Sequence, residues 1–475
     1  MISLPYTPNR CLLHTFNRPV NTRRHDQRKE KTTMCLSSSS SPKTTTKRVV
    51  LVRHGQSTWN EEGRIQGSSD FSVLTNKGES QADISRQMLL EDSFDVCFTS
   101  PLKRSKKTAE IIWGDREDEM IFDYELREID LYSFQGLLKK EGKEKFGEAF
   151  RQWQEDPANF VIDGHYPVRE LWSRARSCWT RVLAHESESV LVVAHNAVNQ
   201  ALLSTAIGLG TEYFRRLLQS NCGVSVLDFT PRADGGSPHV LQMQTPSSPL
   251  AGGSSGGRKA SKQIILVCHG QSDNEANSTN DQPMNMLGVI QSQKTAEFLL
   301  DRRVTSIVCS STTASTETAA VISQVQEAAV SLSVDSVPRY VNTKQMNELD
   351  VNDIIPKSSN KDIQPGWITQ LDEETVSALW NRTGKAWESL LDELSNEDNS
   401  NTGDAMVVVG SPMAHISLLA QCLNLDKNGL GLFHLDAGSI SVIDFPDGPS
   451  ERGVIRCTNY TAHLGRWSVP ITRPV

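Results

Sequence analysis

Arg48-Val49-Val50-Leu51-Val52-Arg53-His54-Gly55-Gln56 is an unbroken aliphatic run ending in a histidine-glycine turn. Gln263-Ile264-Ile265-Leu266-Val267-Cys268-His269-Gly270-Gln271 repeats it roughly 210 to 220 residues later. A run of this length with no polar alternation is what a strand covered on both faces requires. The correspondence continues downstream. Leu74-Thr75-Asn76-Lys77-Gly78 matches Met284-Asn285-Met286-Leu287-Gly288, with Thr75 and Asn285 each placed to cap a following helix. Glu125 to Asp130 matches Gln345 to Asp350, Val190 to Ala194 matches Met406 to Gly410, and Val224 to Phe229 matches Ile440 to Phe445. Short Val/Ile/Leu runs alternate with helical stretches such as Thr75 to Leu90 and Lys103 to Ile112. The expectation is an α/β chain of two tandem three-layer α/β/α domains with mostly parallel sheets, the second copy degenerate.

Composition agrees with two soluble cores. The chain has 475 residues, more than the roughly 250 to 300 at which single cores stop growing. Lys plus Arg is 49 against 57 Asp plus Glu, a net charge of −8, which speaks against a nucleic-acid partner. No apolar run approaches the roughly 18 to 20 residues of a membrane span.

The charge is unevenly spread. Met1 to Arg48 carries ten basic residues and two acidic ones, Asp26 and Glu30, together with a serine tract from Ser37 to Ser41. That is the composition of an organelle transit peptide over 1–47, with the serine run favouring the plastid; a solvated tail without an address is the alternative. Pro-Ser and Gly-Ser repeats between Thr245 and Lys262 mark a flexible linker, 247–261, dividing a first domain, 48–246, from a second, 262–464, with a tail over 465–475. Of nine cysteines, Cys11 and Cys35 fall in the leader, and no CxxC spacing supports a metal site or a disulfide framework.

Chemistry-bearing residues cluster in the first domain. Arg53-His54-Gly55 follows the first strand, Ser100-Pro101-Leu102-Lys103-Arg104 opens a helix, Glu128 stands in Leu-Arg-Glu, and Ala194-His195-Asn196 follows a later strand. In parallel sheets ligands bind beyond the carboxyl ends of strands, where His54 and His195 both fall. Together these elements resemble the histidine phosphatase (phosphoglycerate mutase-like) superfamily, over nearly all of 47–244 and more weakly over 262–464. A phosphate ester needs cations around its equatorial oxygens and an in-line nucleophile. The resemblance implies that His54 attacks phosphorus as neutral imidazole and becomes phosphohistidine, with no metal or other cofactor. It implies that Arg53 and Arg104 fork onto the phosphoryl oxygens, that a protonated His195 stabilises them, and that Glu128 serves as general acid and then general base. Asn60, Gln66, Gly67 and Asn196 take the family's substrate-pocket positions; as isolated residues Asn60, Gln66 and Gly67 could equally be turn formers. Lys139, Lys140 and Lys143 read either as a contact for a second anionic group or as a solvated helix face.

The second copy departs from the pattern. Cys268, Ala314 and Ser411 stand where Arg53, Arg104 and His195 do, while His269 and Glu348 persist. Losing such donors costs orders of magnitude each, so this half reads as catalytically dead. It is left to dock, dimerise, sense a ligand or simply cover apolar surface. His415 reads as a helix-surface or core residue and not as a substitute for the lost histidine.

Mutases of the family follow the acidic Glu with Arg-His-Tyr-Gly; here Glu128 is followed by Ile129-Asp130-Leu131-Tyr132. The resemblance is therefore to the phosphatase branch, and implies hydrolysis of a small anionic sugar or sugar-acid phosphate. A phosphoglycerate-type mutase and a non-catalytic phosphometabolite-binding protein are the alternatives. With the plastid-type leader and the degenerate copy, the resemblance extends to stromal members whose substrates inhibit Rubisco, an indirect link to that enzyme. No nucleic acid or membrane partner is expected, and the sequence is silent on oligomeric state.

Overall fold

The computed structural model describes residues 46–231, 239–244, 260–273, 281–331, 341–355, 367–396 and 404–470. Nearly all of the expected leader and most of the expected linker lie outside the described residues.

The first repeat contains β1 (Lys47–Arg53), α1 (Thr58–Glu62), α2 (Asn76–Met88), β2 (Val96–Thr99), α3 (Lys103–Trp113), β3 (Glu119–Phe122), α4 (Lys139–Phe146), α5 (Glu148–Glu155), α6 (Pro167–Ala184), β4 (Ser189–Ala194), α7 (Asn196–Ala206), β5 (Val224–Thr230) and β6 (His239–Gln244). Its sheet has the order β3-β2-β4-β1-β5-β6. β3, β2, β4 and β1 are parallel, and β5 and β6 close the edge antiparallel. The second repeat contains β7 (Lys262–Cys268), α8 (Met286–Phe298), β8 (Arg303–Cys309), α9 (Thr313–Ser331), β9 (Asn342–Gln345), α10 (Glu373–Asn396), β10 (Asp404–Gly410), α11 (Pro412–Cys422), β11 (Ile440–Phe445) and β12 (Val454–Tyr460). Its sheet, β12-β11-β7-β10-β8-β9, mirrors the first strand for strand. A 3-10 helix over Ala462–Trp467 continues through the boundary expected at 464.

The expected caps form. Thr75 accepts from the Gly78 amide at 3.1 Å and Asn285 from the Gly288 amide at 2.9 Å, so two residue types satisfy the same orphan donor in each copy. Between the two copies, alternate side chains of the leading strands have different fates. Val50 and Val52 point into a core closed by Leu89, Ile112 and Trp113. Val49 and Leu51 point to the other face, where they join Trp172 and Leu202 in a cluster that also contains Ile264, Leu266, Val408 and Leu390. One apolar layer thus serves both repeats, and the two copies pack together.

Candidate active site

β1 and β4 run in parallel register with Arg53 opposite Ala194, so the next residue on each strand, His54 and His195, leaves the same end of the sheet. The His54 amide donates to the Ala194 carbonyl at 2.9 Å, and the two rings meet edge to face with centroids 5.0 Å apart. β2 adds Ser100 one residue past its own register pair, Thr99 with Val193. The Ser100 hydroxyl lies 2.8 Å from His195 Nε2.

The tautomer of His54 follows from its partner. Its Nδ1 lies 2.7 Å from the Gly55 carbonyl oxygen, which can only accept, so the ring proton sits on Nδ1 and Nε2 keeps a free lone pair. Burial first, then Arg104 and Arg53, hold this imidazole well below its ordinary 6.5. His195 is fully buried, and burial with Arg104, His54 and Arg53 pushes it down in the same way. In the phosphate-free protein these neighbours favour the neutral ring, whose buried Nδ1 has no hydrogen-bond partner among the described residues; the protonation implied by the resemblance belongs to the phosphate-bound site.

The turn after His54 is held by backbone contact. A Cβ on Gly55 would overlap the Gly78 carbonyl oxygen, and the Gly55 amide donates to Thr108 Oγ1 at 3.2 Å. Thr108 lies on α3, one turn after Arg104, and its hydroxyl donates to the Arg104 carbonyl at 2.8 Å. The Arg104 guanidinium, fully buried, donates to the carbonyls of Ser69 at 2.7 Å and Gly67 at 2.9 Å. Arg53 donates to the Gln219 carbonyl at 2.7 Å. Behind it Asn199, Gln219 and Ser225 form a buried chain, at 2.8 and 2.6 Å. Burial lowers both guanidiniums to about 10, with Glu128 opposing the shift, and both stay charged at neutral pH.

Glu128 is anchored at the start of α7. Its carboxylate accepts from the amides of Ala197 at 3.0 Å, Val198 at 3.2 Å and its neighbour Ile129 at 3.0 Å. His195 is the N-cap residue of that same helix but makes no side-chain cap bond, so Glu128 satisfies the orphan amides in its place. Arg174 on α6 locks the segment by donating to the Glu128 carbonyl at 3.0 Å.

Arg53, His54, Arg104 and Glu128, together with Asn60, Gln66, Gly67 and Asn196, line one cavity of about 780 Å³. His195 lies against it through its contact with His54. Asn60 and Gln66 also serve the turn: Asn60 Oδ1 accepts from the Ser57 amide at 3.2 Å, and Gln66 lies 3.0 Å from the Ser57 hydroxyl. Gly67 has a φ of 51°, and a Cβ there would overlap the Gln135 amide, so its part in the site is to carry the carbonyl that receives Arg104. Lys139, Lys140 and Lys143 are exposed and line the same cavity.

The second copy keeps the scaffold and loses the charge. His269 Nδ1 lies 2.9 Å from the Gly270 carbonyl, and a Cβ on Gly270 would overlap the Gly288 oxygen. No guanidinium takes the places of Arg53 and Arg104, which hold buried Cys268 and Ala314. Ser411 caps α11 with its own hydroxyl. A cavity of about 780 Å³ in this copy reaches Glu348 and is lined also by Asp281, Asp350 and Asp353 against Arg382 and Lys385, a poor setting for a dianion. His415 is a core residue, wholly buried, with Nδ1 3.6 Å from Cys268 Sγ. The seven described cysteines are all free.

Residue-by-residue reasoning did not single out Ser100, Arg174 or Gln219. Ser100 was within reach, since it opens the segment that carries Arg104; Arg174 and Gln219 carry no local signal.

Among known proteins, the histidine phosphatase superfamily (branch 1) family model matches residues 49–237 and again 264–456. The chain belongs to that superfamily, twice over. It is 76% identical over 487 residues, covering 100% of both chains, to a protein of Arabidopsis thaliana named probable 2-carboxy-D-arabinitol-1-phosphatase. It is 60% identical over 437 residues to the 2-carboxy-D-arabinitol-1-phosphatase of Triticum aestivum, covering 90% of this chain and 88% of that one. A phosphoserine phosphatase 1 of Hydrogenobacter thermophilus is 32% identical over 186 residues, 39% of this chain and 88% of its own.

Proposed function

We propose that the chain is a phosphoric monoester hydrolase of the plastid stroma that cleaves 2-carboxy-D-arabinitol 1-phosphate and related sugar phosphates that inhibit Rubisco. The observation that carries the chemistry is the His54 tautomer: Nδ1 is tied to the Gly55 carbonyl, and the Nε2 lone pair belongs to a neutral ring beside two buried guanidiniums. The 76% and 60% identity to the two plant proteins, over 100% and 90% of this chain, supports the substrate.

Arg53 and Arg104 receive the equatorial oxygens of the phosphoryl group and place phosphorus in line with Nε2. Nε2 attacks, the bond from phosphorus to the sugar oxygen breaks, and phosphohistidine forms. Glu128 gives the leaving oxygen its proton. Glu128 then takes a proton from water, whose oxygen attacks phosphorus; the phosphorus–nitrogen bond breaks and its electron pair returns to Nε2. His195 donates through one ring nitrogen to the charge that builds on the phosphoryl oxygens, and the dianion draws the ring toward protonation.

The purified chain, incubated with 2-carboxyarabinitol 1-phosphate, xylulose 1,5-bisphosphate and 3-phosphoglycerate, should release inorganic phosphate from the first two. Isomerised ester without phosphate would make it a mutase, and binding without turnover a sensor.

A further inference from the structure

The degenerate copy touches the catalytic one at a place that matters for Arg53. The guanidinium of Arg53 rests on the carbonyl of Gln219, and the residues just before Gln219 are bound to β12 of the second repeat. Ile455 donates its amide to the Arg216 carbonyl at 2.8 Å, and the Leu218 amide donates to the Ile455 carbonyl at 3.0 Å. Leu217 and Ile455 pair as a parallel bridge, and both are buried. β12 is the edge strand of its sheet, so the two backbone groups of Ile455 that would otherwise meet solvent meet the catalytic loop. Nearby, Tyr213 donates its hydroxyl to the Leu423 carbonyl at 2.8 Å. Independently, Pro446, Asp447, Val454 and Arg456 of the second repeat line the cavity that holds His54 and Arg104.

We infer that the second domain is a working part of the first domain's active site: its edge strand, through Ile455, clamps the loop 216–219 that sets the Arg53 guanidinium, and the residues around it close the far wall of the cavity. Ile455 is a positioning residue. The Gln219 side chain is held by Asn199 and Ser225 of its own domain, while the backbone leading into it at Arg216 and Leu218 is held by Ile455 of the other, so loss of the clamp loosens one side of the carbonyl that receives Arg53. This explains why a copy stripped of its own phosphate-binding cations keeps its fold.

The inference rests on the phosphatase reading for the identity of Arg53's ligand, so its test uses a phosphate mimic as well as turnover. In the full chain, Ile455→Pro removes the amide donated to Arg216, and Ile455→Ala, which keeps the amide but trims the same buried side chain, separates that bond from loss of packing. In the proline variant, affinity for orthovanadate and kcat/KM for phosphate release should both fall about tenfold or more, with a cooperative melt retained, while Ile455→Val, which keeps the amide, should restore both. A folded Ile455→Pro chain with parental vanadate affinity overturns the inference. If that variant does not fold, hydrogen exchange of the parental chain decides. Because coupling is reciprocal, vanadate should slow exchange at the Leu218 and Ile455 amides, and unchanged exchange there overturns it. A parental chain that shows this coupling but releases phosphate from no sugar ester counts against the proposed activity and supports the clamp.

Discussion

His54 and His195, 141 positions apart in the chain, stand with ring centroids 5.0 Å apart because each is the first residue beyond a matched pair on adjacent parallel strands, Arg53 opposite Ala194. Neither ring could keep a proton there at neutral pH without an anion, since burial and two guanidiniums oppose it. The site is therefore poised as a neutral nucleophile and a neutral donor until phosphate supplies the missing charge.

If His54 carries the phosphoryl group, His54→Ala should lower phosphate release by roughly a thousandfold or more and abolish an acid-labile phosphorus–nitrogen adduct in rapidly quenched protein. His269→Ala, in a copy where Cys268 and Ala314 stand in the places of Arg53 and Arg104, should leave both unchanged. Loss of turnover in the second variant alone would reverse the assignment of the active half.

Glu128→Gln keeps a side chain that can still accept from the α7 amides but cannot shuttle a proton. Turnover of a sugar phosphate should fall by about 10² to 10⁴. Phosphohistidine formation from p-nitrophenyl phosphate, whose leaving group needs no proton, should fall far less in a single-turnover burst. Equal losses would make Glu128 an anchor for α7 only.

Stability should decline in mild acid. His54, His195 and His269 are held below the ordinary 6.5, His415 is pushed down to about 3 and His463 to about 4, each chiefly by burial. Above pH 6.5 neither state is protonated at these rings. Below it the unfolded chain takes up protons that the fold refuses, costing up to about 1.4 kcal/mol per pH unit for each such ring. Urea midpoints should fall between pH 7.5 and 5.5, and His415→Gln should make the fall shallower. A midpoint independent of pH in this window would contradict the burial argument. On the same ground, kcat/KM should show no acid limb near 6.5 from the nucleophile.

The paired glycines offer a matched test. Gly55→Ala and Gly270→Ala each force a methyl group onto a glycine carbonyl, of Gly78 and Gly288 respectively. Both should destabilise the chain by about 1 to 3 kcal/mol in thermal melts. Only Gly55→Ala should also lower turnover of the protein that remains folded, because its turn carries the acceptor for His54 Nδ1.

Much of this architecture was legible beforehand. The aliphatic runs at 49–52 and 264–267, the caps Thr75 and Asn285, and the glycines after each histidine are local features, and each became the element it announced. Arg53, His54, Arg104, Glu128, Asn60, Gln66, Gly67 and Asn196 converge on one cavity. The neutral resting state of His195 was not legible, because a sequence does not display burial or the distance to two guanidiniums. Glu128 was visible as a carboxylate but not as the cap of α7, since the helix it serves begins 68 residues further on.

The repeat, its alternation of strands and helices and the difference between a charged and a stripped copy belong to the order of residues alone, because hydrophobic period, capping and side-chain type act over a few positions. Tertiary structure alone decided that Gln219 holds Arg53, that Ile455 holds the loop before Gln219, and that both repeats share one apolar layer. Those contacts join backbone groups far apart in the chain. A carbonyl or an amide is the same in every residue that bears it, so only folding selects which of them meet.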